Sequence, residues 1–74
     1  MAQEITIGSK IKIEISSEVK IFEIVGSAEV DAKNGKISYL SPIGEAVLGK
    51  MAGQEFNIDL PTGKKIQGKI IKIF

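Results

Sequence analysis

The chain has 74 residues, 10 lysines against 9 acidic side chains for a formal charge of +1, 43% hydrophobic residues, and neither Cys nor His. That length makes one domain, near the lower limit for a fold held by an apolar core alone, and the missing Cys and His exclude disulfides and Cys/His zinc sites as supports. No apolar run approaches the ~20 residues of a membrane span, the first residues lack a secretory leader pattern, and there is no Arg to fork onto phosphate or guanine. A cytoplasmic domain is expected, without a membrane partner and without direct sequence-specific nucleic-acid binding, although a local lysine patch stays open.

Strand signals dominate the chain. From Ile5 to Ile15 the apolar residues Ile5, Ile7, Ile11, Ile13 and Ile15 fall on odd positions, a period of two that puts one set on one face of a sheet. Ser16-Ser17-Glu18 reads as a hairpin turn. Val19 to Val25 is the second strand, and the change of parity between Ile21 and Phe22 predicts a bulge or burial on both faces there. Residues 27–36 read as a polar loop in which Asn34-Gly35 is the strongest turn signal. A short strand, Ile37 to Leu40, follows.

Ser41-Pro42 opens the one convincing helix: Ser can cap a free N–H, and Pro suits the first helical position. Ile43, Ala46 and Val47 make an apolar stripe, and Gly49 or Gly53 can end the helix after two to three turns. Gln54 to Leu60 alternates again, with Phe56, Ile58 and Leu60 on one face. Pro61-Thr62-Gly63 is a tight turn, and Lys64 to Phe74 is a last strand whose isoleucines change parity, again predicting a bulge or two-sided burial. The order is β-β-β-α-β-β, a bent antiparallel sheet of about five strands around one short helix, and the class is α+β.

The inventory is poor in chemistry. Without His or Cys, the commonest general base and the best soft nucleophile are missing, and no Ser sits in a Gly-x-Ser-x-Gly elbow, so no catalytic residue is expected. Gly44 to Lys50 has the spacing of a phosphate loop, but Met51 stands where Ser or Thr should hold magnesium, and Gly44 falls inside the helix; it reads as a chance match. Glu29 and Asp31 form the nearest approach to a carboxylate pair, too few ligands for a metal site and more in keeping with a solvated loop. Neither a cofactor nor a small-molecule substrate is expected. Glu45 reads as a solvent-facing residue near the positive end of the helix.

The ordered set Ile24-Val25-Gly26, Glu29, Asp31, Ile37-Ser38, Ser41-Pro42-Ile43, Leu48-Gly49-Lys50, Gly53 and Pro61-Thr62-Gly63 resembles the C-terminal domain of the bacterial Gre transcript-cleavage factors, over almost the whole chain. Val30 departs from the usual Ala, Leu40 from an Asp or Asn found in some members, and Gln54 from a common Asp. The resemblance implies an FKBP-like fold, with residues 1–74 forming a domain that docks on bacterial RNA polymerase at the entrance of its secondary channel. In that family an N-terminal helical hairpin carries the acidic residues that help hold a catalytic magnesium, and no long helical pattern of that kind occurs in this sequence. By the same resemblance the partner-binding residues are Leu40, Ser41 and Pro42, with Glu29 and Asp31 beside them. Of Tyr39 and Leu40, one should point inward. Three other readings stay open: a free-standing regulator of the same fold, similar to the nucleoside-diphosphate-kinase regulators; an FKBP-type prolyl isomerase, disfavoured by only four aromatics and no Trp; and a generic small β-barrel binding module.

Overall fold

A computed structural model describes residues 3–74. Five strands, β1 (Lys10–Ile15), β2 (Glu18–Val25), β3 (Lys36–Ser38), β4 (Glu55–Asp59) and β5 (Lys65–Ile73), form one sheet in the order β3-β2-β1-β5-β4, with a single helix, α1 (Pro42–Val47). The sheet curls so that its inner face packs against α1. Ile11 and Ile13 from β1, Ile24 from β2, Phe56 and Ile58 from β4, Ile70 from β5 and Val47 from α1 make one buried cluster. Aliphatic side chains supply nearly all of it, as a chain without Cys or His requires. Phe56, its one fully buried aromatic, lies directly over Gly68 of β5, where a β-carbon would collide with the ring.

The class and element order match the expectation, and four details differ. The sheet is mixed, not wholly antiparallel: β3 runs parallel to β2, with Glu23, Ile24 and Val25 opposite Lys36, Ile37 and Ser38. Two 3-10 turns, Ser27–Glu29 and Ala32–Asn34, carry the chain back alongside the C-terminal end of β2, where β3 pairs in parallel. The first strand begins at Lys10, not at Ile5. Gly8, with φ +99°, turns the chain there, and Ser9 Oγ accepts from the Thr6 N–H at 2.9 Å to close the turn. Ile7 is consequently 55% exposed despite sharing the parity of the buried isoleucines.

Ile5 is buried for a different reason. Its N–H donates to the Lys50 carbonyl and its carbonyl accepts from the Gly49 N–H, both at 2.8 Å, which pins the N-terminal segment under the end of α1. The β1–β2 register runs unbroken from Lys10–Glu23 to Ile15–Glu18, so of the two alternatives expected at Ile21–Phe22 the bulge is absent, and Ile21 is exposed, so burial on both faces is absent there too. Ile21 and Val19 simply face outward, while Ile24 and Val25 are buried on opposite parities. The bulge expected in the last strand is present: opposite Lys12 and Ile13 the register shifts and Ile71 is the extra residue. Finally, α1 has six residues, fewer than two turns. No helix among the described residues is long and apolar enough to cross a membrane.

Candidate functional site

The segment from Ser38 to Gly44 forms a rigid corner where β3 passes into α1. Ser41 Oγ accepts from the Gly44 N–H at 3.1 Å, the N-cap bond expected from sequence, and donates to the Ser38 carbonyl at 2.6 Å. The Ser41 N–H donates to the same carbonyl at 3.0 Å, and the Leu40 N–H donates to Ser38 Oγ at 3.0 Å. Gly44 lets the first turn of α1 lie directly on β3, because a β-carbon there would collide with the Ser38 carbonyl oxygen and the Tyr39 backbone. The corner is therefore fixed by four hydrogen bonds and one backbone contact, and it presents Pro42 and Leu40 outward. Leu40 is 56% exposed, while Tyr39 packs against the core. That settles which of the two adjacent residues points inward.

Two hollows flank the corner. An apolar groove of about 360 Å³ opens between α1 and the inner face of the sheet; Phe22, Ile37, Ile43 and Leu60 line it, with Ser41 and Pro42 on its wall and Lys20 as its charged group. On the other side of Pro42 lies a more polar hollow of about 340 Å³, lined by Leu40, Pro42, Glu45, Asn57 and Asp59. Pro42 is common to both. Such a corner can accept an apolar side chain in the groove and a cation or hydrogen-bond donor beside Glu45 and Asp59.

The sequence singled out Leu40, Ser41 and Pro42, neighbours along the chain that lie beside the two hollows. It missed Lys20, Phe22, Asn57 and Asp59, which reach the corner only because the sheet curls around α1. The inward parity of Phe22 was the one signal available for them. Glu29 and Asp31 line neither hollow. Both are exposed, and Asp31 closes its own loop: Oδ2 accepts from Asn34 Nδ2 at 2.6 Å, and its backbone exchanges hydrogen bonds of 2.9 Å with Lys36. Among the described residues no group of three or more acidic side chains is placed to hold a metal ion. Gly44 lies within α1 and not in a strand-to-helix loop, in keeping with a chance phosphate-loop spacing. Gln54, a departure from the family pattern, accepts from the Met51 N–H through Oε1 at 2.7 Å.

A curled five-stranded sheet closed over one short helix that starts on Ser-Pro is an α+β domain, in agreement with the FKBP-like fold that the resemblance implied. Residues 1–74 match the family described as transcription elongation factor GreA/GreB, C-terminal, and the chain belongs to that family. It is 42% identical over 76 residues to the transcription elongation factor GreA of Macrococcus caseolyticus, covering 89% of this chain and 48% of that protein. The structure is similar to GreA factor homolog 1 of Thermus thermophilus, with a TM-score of 0.80 and 31% identity over 99% of this chain and 49% of that one. It is also similar to a GreA/GreB elongation factor from Nitrosomonas europaea, with a TM-score of 0.73 and 28% identity over 93% of this chain and 58% of that one. The chain thus spans about half the length of the relatives it matches.

Proposed function

We propose that this domain is the RNA-polymerase-docking part of a Gre-type elongation factor and that it binds through the Ser41-Pro42 corner. The observation that carries the reading is the corner itself. A proline held by a capped helix start stands exposed between an apolar groove and an acidic hollow, in a chain of the GreA/GreB family. A preformed corner loses little conformational entropy on binding. Leu40 and Pro42 supply apolar contact, Ser41 holds the geometry, and Glu29 and Asp31 lie on the exposed loop before β3, where they meet the rim of the partner. Docking is the domain's own contribution; transcript cleavage belongs to the acidic hairpin of the family, so the domain is not itself an enzyme. Polymerase as partner also places it in the bacterial cytoplasm.

The test is competition for core RNA polymerase. Labelled full-length GreA is bound to polymerase, and the unlabelled domain is titrated in. Displacement is expected, with lower affinity than the full-length factor because the hairpin's contacts are missing. A folded domain that fails to displace GreA at large excess and low salt would rule out docking at the shared site.

A further inference from the structure

We propose that the outer face of the sheet carries a sequence-independent site for single-stranded nucleic acid, built from Lys10, Lys12, Lys72 and Phe74. The β1–β5 register sets Lys12 directly opposite Lys72, and alternation with the buried Ile11 and Ile13 turns Lys12 to the face away from the core. Lys10 shares that face, and the Phe74 N–H donates to the Lys10 carbonyl at 2.8 Å, which brings the Phe74 ring up beside the lysines. The ammonium groups of Lys72 and Lys10 stand 5.0 and 6.0 Å from the ring centroid, and Phe74 is 52% exposed.

Charge on this face is divided unevenly. Near Phe74, Glu23 lies between Lys10 on one side and Lys36 on the other, and Lys12 and Lys72 have only each other as cross-strand charged neighbours. Towards the β4 edge the signs alternate, with Lys69 between Glu14 and Glu55, and at that edge Lys65 is opposite Asp59, which reaches round to the rim of the polar hollow. Among the described residues the ion pair formed is Lys20–Glu18, away from this patch. A near-neutral total charge concealed this clustering in the sequence.

Like charges directly opposite on neighbouring strands destabilise a sheet, and a bound polyanion relieves that repulsion. Phosphates neutralise the lysines while an exposed ring offers a stacking surface that any base can use. The combination favours a repeating base-and-phosphate chain over an acidic protein surface, which would engage the charges alone. The patch faces away from the apolar groove, so both can be occupied together.

The experiment is fluorescence anisotropy of a fluorescein-labelled single-stranded oligouridylate titrated with the full chain. Saturable binding at low salt is expected, with a log–log salt slope of about −2, since single strands give roughly −0.7 for each phosphate neutralised and three lysines take part. Lys12→Gln with Lys72→Gln should weaken binding about tenfold or more while raising the melting temperature. Phe74→Ala should weaken it about fivefold or more. Lys65→Gln with Lys69→Gln, on the balanced half, should change it by less than about twofold. Absence of saturable binding, or equal losses in the two lysine pairs, would overturn the proposal. So would polyglutamate binding as tightly as the oligouridylate with Phe74→Ala without effect, which would assign the patch to acidic proteins.

Discussion

Ser16 and Ser17 turn the β1–β2 hairpin with φ of 52° and 66°, both in the left-handed region. This is the backbone a two-residue hairpin loop demands, and it suits Asn-Gly better than Ser-Ser. Replacing Ser17 by Gly removes the steric cost of a β-carbon there, which exceeds the entropy that Gly adds to the unfolded chain. Ser17→Gly should therefore stabilise the domain by about 0.5–1 kcal/mol and raise its melting temperature by roughly 2–8 °C in a thermal scan. Gly44 poses the opposite case. Helix propensity alone predicts a gain of about 1 kcal/mol for Gly44→Ala. The new β-carbon would meet the Ser38 carbonyl and the Tyr39 backbone, neither of which is the yielding end of a side chain. Overpacking costs about 1–3 kcal/mol, more where backbone must move, so a net loss of stability is expected in chemical denaturation. A gain would mean that α1 does not sit on β3 as described.

At the level of elements, α1 is too short to stand by propensity and exists because both of its ends are fixed. The Ser41 cap and the Ser38 carbonyl hold its start; Ile5, bonded to Lys50 and Gly49, holds its end. Two substitutions separate the contact surface from this support. Pro42→Ala should change stability by less than about 1 kcal/mol, since Ala is tolerated in a first turn, and should weaken polymerase binding. Leu40→Asp should leave the melting temperature nearly unchanged, because an exposed substitution outside the core costs within about 0.5 kcal/mol. A large fall in melting temperature on Leu40→Asp would show that Leu40 is core and not contact surface. What the sequence made legible was local: the Ser-Ser hairpin, the Ser-Pro helix start and the alternation of β4 each rest on residues a few positions apart. The direction of β3 was not legible, since side-chain parity is the same for parallel and antiparallel neighbours. Ile7 misled because alternation carries no mark of a turn at Gly8. The groove beside Pro42 needs Phe22 and Leu60 brought together by sheet curvature, which no local pattern encodes.

Across the whole molecule, the curled sheet separates its surfaces: the helix-start corner and its two hollows lie on the side of α1, and the lysine patch lies on the far side. A single small core serves both, so a variant must be shown to be folded before a loss of binding is assigned to either surface. The proposed docking carries a consequence for GreA itself: by mass action, a domain that occupies the docking site without an acidic hairpin would keep a cleavage-competent factor off polymerase. Added alone to backtracked elongation complexes, the domain should leave the transcript 3′ ends at the length seen with polymerase alone. Added together with full-length GreA, it should suppress GreA-stimulated shortening in proportion to its occupancy. The Pro42→Ala variant should suppress less at equal concentration, and Lys12→Gln with Lys72→Gln should suppress as well as the unaltered chain if docking uses the corner alone. Shortened transcripts with the domain alone would contradict its reading as a docking part without cleavage chemistry, and undiminished GreA activity in the presence of excess folded domain would contradict the shared site.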